Sequence, residues 1–340
     1  MHLVTGGSGF LGSLIARRLH QAGESVRVLD IWDDPKRPDE IEFCHVDIRD
    51  RAAVAQAMDG VLVVHHNVAL VPLTKAVRDY TSVNVEGSRI AAEEAVKAGV
   101  QAFIHMSSSA IFGAPACPVT YDTPTSPLDP YGRAKLEGER AVLQASAGSG
   151  MKVVPVRPRT ILGLGRLGIY QILFEWIRQG RRIPIIGDGT NPLQFVHAHD
   201  LMDAYLLLLE NEWVGPANIG TDRYGTLEED LTNLIEAVDS PSRIVHLPAG
   251  LTIASLRLLD ALRLSPLAAW HYLTYDKPFY FDVEPLKRVG WKPKYSNVDM
   301  LVEAYREYVS GTSAAAPLGA RSPHRRPVRE GVIGIARRFF

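Results

Sequence analysis

Only two cysteines, Cys44 and Cys117, occur in 340 residues. That argues against a disulfide framework and fits a reducing compartment. An excess of charge is missing as well: 37 Lys and Arg stand against 38 Asp and Glu, for a formal net charge of -1. Nothing in this balance points to a nucleic acid or another polyanion as partner. No apolar run approaches the roughly 20 residues that span a bilayer; Ala204–Leu209 is typical of the longest. The histidine pairs, His65-His66 and His197 with His199, lack companions at zinc-like spacing, so no metal site is expected. The first strand starts at His2, so a secretory leader is not expected either, and the cytoplasm is the expected address.

What is present is a chain long enough for a large core and two lobes, with the 46% apolar and 22% charged residues of a soluble globular enzyme. Its organising stretch is Val4-Thr5-Gly6-Gly7-Ser8-Gly9-Phe10-Leu11-Gly12. The glycines fit two spacings, Gly7-x-Gly9-x-x-Gly12 or Gly6-x-x-Gly9-x-x-Gly12. Either one provides a tight turn, a close approach of backbone to a pyrophosphate at Gly9, and a helix packed against its strand at Gly12. The N-terminus of that helix, expected over Ser13–Ala22, offers N–H groups and a positive dipole end to phosphates. A second strand, Ser25–Asp30, ends in a carboxylate eighteen residues past Gly12, where adenosine ribose hydroxyls would be held. Dinucleotide binding follows. Asp30 favours NAD over NADP because a carboxylate repels a 2′-phosphate, although Lys36 and Arg37 lie close in sequence.

The chain continues with strands and helices in alternation: strand Phe43–Asp47, helix Arg51–Met58, the apolar strand Val61–Val64, helix Val85–Ala98 and strand Ala102–Met106. A helix over Pro130–Leu143 and strand Lys152–Val156 complete the series. This predicts an α/β fold, a doubly wound parallel sheet of the Rossmann kind with a smaller C-terminal substrate-binding lobe. Residues 1–165 form the expected cofactor domain, with 194–220 returning to it. Residues 166–193 and 221–309 form the substrate lobe. The segment Leu247–Tyr280, with Leu251, Ile253, Leu256, Leu258, Leu259, Trp270, Tyr272 and Tyr275, is expected to help cover the cleft.

Tyr131 and Lys135 stand at i and i+4 of the helix that Asp129 caps and Pro130 begins, so both project from one face. A phenol of ordinary pKa about 10 is a poor base. A lysine ammonium beside it would stabilise the phenolate. Such a pair can take the proton of a secondary alcohol while hydride leaves for a nicotinamide. Ser107-Ser108-Ser109 follows strand Ala102–Met106, at the strand end where a doubly wound sheet binds ligand.

Together these residues resemble the extended short-chain dehydrogenase/reductase family, its NAD-dependent epimerase/dehydratase group, over about residues 1–305. The resemblance rests on the glycine stretch, Asp30, Asp47-Ile48, His65, Asn84, the serine strand end, Tyr131 with Lys135, and Arg157-Pro158. It also takes in Gly187-Asp188-Gly189, Phe195-Val196, Asp200, Asn218-Ile219-Gly220 and Gly290-Trp291-x-Pro293. It implies Ser108 as the catalytic hydroxyl, with Ser109 as its understudy, Tyr131 as acid/base, and Lys135 as the holder of the nicotinamide ribose. Gly6, Gly9, Phe10, Leu11, Gly12, Asp30, Asp47, Ile48, His65, Asn84 and Pro158 would complete the cofactor site, the adenine meeting Asp47 and Ile48.

The departures narrow the substrate. Sugar dehydratases of the family follow the catalytic hydroxyl with Asp-Glu; here Ser109 and Ala110 stand there. The arginine that usually clamps a nucleotide-sugar pyrophosphate is replaced by Leu193, and a second by the Tyr275–Pro278 region, with Arg159, Arg166 or Lys277 as substitutes. Arg157-Pro158-x-x-Ile161-x-Gly163 looks more like the 3β-hydroxysteroid and sterol dehydrogenase branch. The expected activity is therefore NAD(P)-dependent hydride transfer on a hydrophobic, sterol-like or long-chain 3-keto lipid. A nucleotide-sugar 4-epimerase is the alternative, and a cofactor-binding protein without catalysis the third reading. A homodimer stays open. The last segment, 310–340, holds six arginines against Glu330; it reads as a solvated tail, or as a peripheral contact with an anionic membrane.

Overall fold

The computed structural model describes residues 1–71, 77–164, 166–262 and 274–311. Strand β1 (His2–Thr5) enters the glycine turn, and helix α1 (Phe10–Gln21) leaves it, three residues earlier than expected. The helix can begin inside the motif because Gly9 takes the N-cap in extended backbone and asks for no side-chain room. Strands β2 (Val26–Asp30) and β3 (Glu42–His45) follow, then helix α2 (Arg51–Ala57), capped by the Asp50 carboxylate on the Ala53 N–H.

Strand β4 runs over Val63–His66, two residues beyond the apolar stretch that marks it in sequence. The shift brings two histidines into the core, and both are satisfied there. His65 reaches His2 at 2.9 Å and the Tyr205 hydroxyl at 2.6 Å; His66 reaches Thr5 at 2.8 Å and Ser88 at 2.9 Å. A wider helical turn over Thr81–Glu86 leads into α3 (Gly87–Lys97), so the helix expected from Val85 starts irregularly. Strand β5 (Ala102–Met106), helix α4 (Pro130–Ala145) and strand β6 (Lys152–Pro158) complete the first half.

The main sheet is all parallel, in the order β10-β6-β5-β4-β1-β2-β3, where β10 is Ala217–Ile219. The chain runs outward through β2 and β3, then returns to the other side of β1 through β4. The switch point between β1 and β4 is where such a sheet opens a crevice at its strand ends. Apolar clusters lie on both faces. One joins α1 and α6 (Ala198–Glu210) with β1, β5 and β6. The other joins α2 and α3 with β4 and β5.

A third cluster has its own elements: α5 (Tyr170–Arg178), α7 (Leu227–Ala237) and α10 (Asn297–Ser310), around Phe174, Ile185, Leu234 and Met300. Two small parallel pairs serve it. Strand β7 (Thr160–Leu162) pairs β9 (Phe195–His197), and β8 (Arg182–Ile186) pairs β11 (Arg243–Leu247). Phe195 belongs to this cluster, whereas Ala217 and Ile219 of β10 belong to the first.

Helix α8 (Ala249–Ala261) departs from expectation. Leu251 is 74% exposed and Leu258 62%, and no described residue of the helix is buried or lines the cleft. Trp270 and Tyr272, expected beside it, lie outside the described residues, as does nearly all of the basic tail. Helix α9 (Glu284–Arg288) precedes α10, which ends at Ser310 with Gly311 in the left-handed conformation at φ 68°.

Candidate active site

A cleft of about 760 Å³ opens over the carboxyl ends of β1, β2, β4, β5 and β6. That size suits a small-molecule or cofactor site. Of the residues expected from sequence, it is lined by Gly6, Gly9, Phe10, Leu11, Gly12, Asp30, Asp47, Ile48, Ser108, Tyr131, Lys135 and Pro158.

One wall is the glycine turn. Gly6 turns the chain at φ 67°, and a side chain there would also strike the backbone of Val68 at 2.9 Å. A Cβ on Gly12 would lie 2.1 Å from the Gly6 carbonyl oxygen. These contacts select the spacing Gly6-x-x-Gly9-x-x-Gly12. Gly7 is needed for another reason, since its Cβ would run into Val28 at 2.5 Å. Asp30 closes this wall and accepts from the Ser8 N–H at 3.1 Å. Burial pushes its carboxyl up, against the bonds from Ser8, Ile31 and Trp32. Arg37 is engaged by Asp33 at 2.8 Å and lies over Phe43, which withdraws it as a partner for a 2′-phosphate. Asp47 is held by Arg49 at 2.9 Å, and that bond lowers its carboxyl. Arg49 itself lines the cleft; its sequence position two residues past Asp47 was the one signal for it.

The opposite wall carries the titratable side chains Tyr131 and Lys135 beside Ser108. Asp129 caps α4 through the Gly132 N–H at 2.9 Å, which fixes the first turn and therefore Tyr131 and Lys135. Burial raises the Tyr131 phenol; a hydrogen bond with Ser108 and the charge of Arg166 pull it back. Ser108 also accepts from the Ala110 N–H at 3.1 Å, so its hydroxyl is aimed by the turn it caps. The ammonium of Lys135 donates to the Met106 carbonyl, and burial lowers it to about 8 against the pull of Glu139. Lys135 was expected to tune the phenol; Arg166 is a further cation whose charge favours the phenolate. Ser109, the understudy, instead takes a bond from Arg159 at 3.1 Å.

Two expected cofactor residues sit behind the cleft. His65 is completely buried between His2 and Tyr205, and burial lowers it to about 3. Asn84 is buried with its amide on Leu70, accepting from the N–H at 2.7 Å and donating to the carbonyl at 3.0 Å. It holds the loop 67–71, which lines the cleft, rather than lining it itself. Asn67-Val68, unexplained by sequence, lies over the Gly6 turn.

Sequence reasoning missed Glu139. Four residues past Lys135 on the same helix face, it accepts from Ser107 at 2.5 Å and from Arg157 Nε at 3.1 Å, tying α4 to the ends of β5 and β6. The Tyr131, Lys135, Glu139 periodicity was its signal. Leu193 is buried and bridges to Phe279, and Lys277 pairs with Asp276 at 2.9 Å, so neither offers a free cation to a pyrophosphate. No group of metal ligands occurs among the described residues.

Residues 2–220 match the NAD dependent epimerase/dehydratase family. An uncharacterized protein of Sinorhizobium fredii, y4nG, is 41% identical over 98% of this chain and 84% of its own length. A 3-beta-hydroxysteroid dehydrogenase of Mycolicibacterium neoaurum is 25% identical over 94% of both chains. Among solved structures, MoeE5 in complex with UDP-glucuronic acid and NAD superposes with a TM-score of 0.72 at 23% identity, covering 92% of this chain and 99% of that one. That last likeness is one of fold.

Proposed function

The chain belongs to the NAD-dependent epimerase/dehydratase family and is an NAD-using enzyme, and we propose that it transfers hydride at a secondary alcohol or ketone through Ser108, Tyr131 and Lys135. The observation that carries this is one juxtaposition. The Ser108–Tyr131 hydrogen bond and Lys135 face the same cleft as the Gly6–Gly12 cradle. The residues fit NAD: the cradle has no room for side chains, the start of α1 meets phosphates, and Asp30 can accept from ribose hydroxyls.

Bound NAD supplies the hydride acceptor at the carbinol carbon. The protein's own part is to move the proton. Ser108 holds the substrate oxygen and the phenol in one hydrogen-bonded set. Tyr131 as phenolate takes the hydroxyl proton while the carbonyl forms, and returns it in the reverse direction. Burial alone opposes the phenolate, so Ser108 and Arg166 must offset it for the residue to act near neutral pH. Lys135 holds the nicotinamide ribose from the same helix face.

The substrate reading favoured is a hydrophobic, sterol-like or long-chain 3-hydroxy or 3-keto lipid. It is supported by Leu193 and Phe279 where a pyrophosphate clamp would stand, by the pairing of Lys277, and by the apolar lining of Ile161, Leu162, Leu167 and Ile169. A nucleotide-sugar 4-epimerase is the second reading, favoured by the arginines 159 and 166 in the cleft. Cofactor retained without net oxidation would mark the epimerase; stoichiometric reduced cofactor would mark the dehydrogenase.

Tyr131→Phe tests the chemistry. It is expected to lower turnover by about 10²–10⁴-fold and leave NAD affinity near normal. Unchanged turnover in that variant would require another base.

A further inference from the structure

A groove of about 820 Å³ runs along α10 and shares no lining residue with the cleft. Met300, Leu301 and Ala304 turn one side of this helix into the third apolar cluster, which leaves Val298 and Val302 only half-buried on its flank. Beside these valines Asp299, Glu303 and Glu307 recur at every fourth position and so form one row along the helix. Asp299 caps the helix with Ser296, and Glu303 meets His197 at 3.3 Å. An ionised carboxylate has about four acceptor sites, so both can still take a cation. Two cations also line the groove, Lys294 and Arg306, and Lys294 is held by Asp203 at 2.8 Å. The result is an apolar floor beside an acidic wall.

The groove ends where the chain leaves α10. Ser310 lines it, and the Tyr308 hydroxyl donates to Glu175 at 2.7 Å, which pins the last turn. Gly311, left-handed at φ 68°, then turns the chain off the helix axis. Residues 312–340 follow, with six arginines against Glu330 and the apolar end Val332-Ile333-Gly334-Ile335-Ala336-Arg337-Arg338-Phe339-Phe340. We propose that this C-terminal segment docks in the α10 groove of its own chain, arginines on the Asp299–Glu303–Glu307 row and apolar end on Val298 and Val302. Charge and apolarity both match. So does reach: a helix of 14 residues is about 21 Å long, a distance that about seven extended residues cover. The tether then decides the occupant. A segment joined directly to its site acts at an effective concentration of about millimolar. Exposed ion pairs that are individually weak suffice under those conditions. A second copy or a lipid surface has no such advantage. The proposal is independent of the reaction assigned to the cleft.

The test uses the full chain with a photoreactive benzophenone amino acid in place of Val302, as an equal mixture of unlabelled and isotopically heavy protein. Mass spectrometry is expected to find crosslinks from position 302 to residues 312–340 within one chain. No crosslink to that segment overturns the proposal. Crosslinks only between light and heavy chains overturn it too, and would give the groove to a second copy. Trypsin reads the same contact. Cleavage after Arg325, Arg326 and Arg329 is expected to be about tenfold slower in the wild-type chain than in two variants, because it tracks the undocked population. One variant combines Val302→Gln with Glu307→Gln in the groove. The other combines Arg321→Gln, Arg337→Gln and Arg338→Gln in the segment, where no change reaches the third apolar cluster. Unchanged cleavage in the segment variant overturns the proposal even where the groove variant is cut faster, since that would report a loosened helix. Protection that appears only with phosphatidylserine-containing vesicles also overturns it, and would assign the segment to an anionic bilayer.

Discussion

One wall of the cleft is made by a glycine turn and one carboxylate, Gly6, Gly9, Gly12 and Asp30, and is the wall proposed for the cofactor; the wall proposed for the substrate is made by side chains, Ser108, Tyr131, Arg159 and Arg166. The first wall is fixed by where a Cβ cannot go. The second is fixed by caps and buried bonds: Asp129 on α4, Ser108 on its own turn, Glu139 on Ser107 and Arg157. Backbone geometry demands particular residues at particular spacings. Side-chain geometry can be supplied from distant parts of the chain, as Gln194 and Phe279 supply the bed of Arg159.

Strands β4 and β5 lie beside β1 in the sheet beneath both walls, and their histidines give the largest expected effect. Burial lowers His65 and His66 to about 3 and lowers His105 as well. His105 stacks on His66 at 5.5 Å and finds no hydrogen-bond partner among the described residues. Their folded pKa values lie below the unfolded value near 6.5, so the unfolded chain takes the protons first. Stability is therefore full above about pH 6.5 and falls with acid down to about 3, at on the order of 3 kcal/mol per pH unit from His65 and His66, with His105 acting in the same direction. Urea unfolding at pH 7 and pH 5 reads this, and NAD binding and turnover should be lost together. Equal stability at the two pH values would mean that the histidines do not remain neutral in the fold. Survival of one wall without the other would break their shared foundation.

Next in size is Gly12→Ala, which acts on the cofactor wall alone. Its Cβ would meet the Gly6 carbonyl at 2.1 Å, whereas a Cβ on Gly250 meets nothing within 4 Å. Overpacking of this kind costs ~1–3 kcal/mol, which corresponds to about 5–150-fold in NAD affinity if it is felt at the glycine turn. Calorimetric NAD titration of Gly12→Ala, with Gly250→Ala as control, reads the difference. Normal affinity in Gly12→Ala would show that helix and turn can part without harm, and that the wall is not set by steric exclusion.

This asymmetry explains what is legible in the sequence. The glycine turn, Asp30, and the Tyr131/Lys135 pair behind Asp129 and Pro130 are readable because local backbone rules dictate their spacing. The parallel sheet is readable from alternating strands and helices. His65 falls in a different place from the one expected because a strand predicted to end at Val64 runs on to His66, made possible by Tyr205 from 140 residues away. Asn84, expected at the cofactor, instead braces the loop at Leu70 through its amide. Helix α8 is apolar and so invites a place over the cleft, yet apolarity does not say what an element packs against. Arg166 stands out in sequence only as a substitute clamp; its neighbour Tyr131 and the absence of a described acid partner are tertiary facts.

The smallest effect concerns cofactor choice on the first wall. Asp30 lines the cleft and accepts from the Ser8 N–H, so its charge faces the place where the ribose hydroxyls would lie. Wild-type protein should bind NAD about tenfold or more tightly than NADP, a difference near 1.4 kcal/mol. Asp30→Ala should weaken NAD by about that factor. It should not by itself confer NADP binding, because Arg37 remains tied to Asp33 and to the Pro38 and Ile41 carbonyls. Asp33→Ala in the Asp30→Ala background frees that guanidinium for a 2′-phosphate, and NADP affinity should then rise above that of the single variant. A single Asp30→Ala variant that already prefers NADP would place the phosphate on another cation. A double variant no better than the single one would show that Arg37 is held by the two carbonyls and Phe43 rather than by Asp33. In either case selectivity on this wall would depend on side chains as well as on backbone, and the contrast with the substrate wall would narrow.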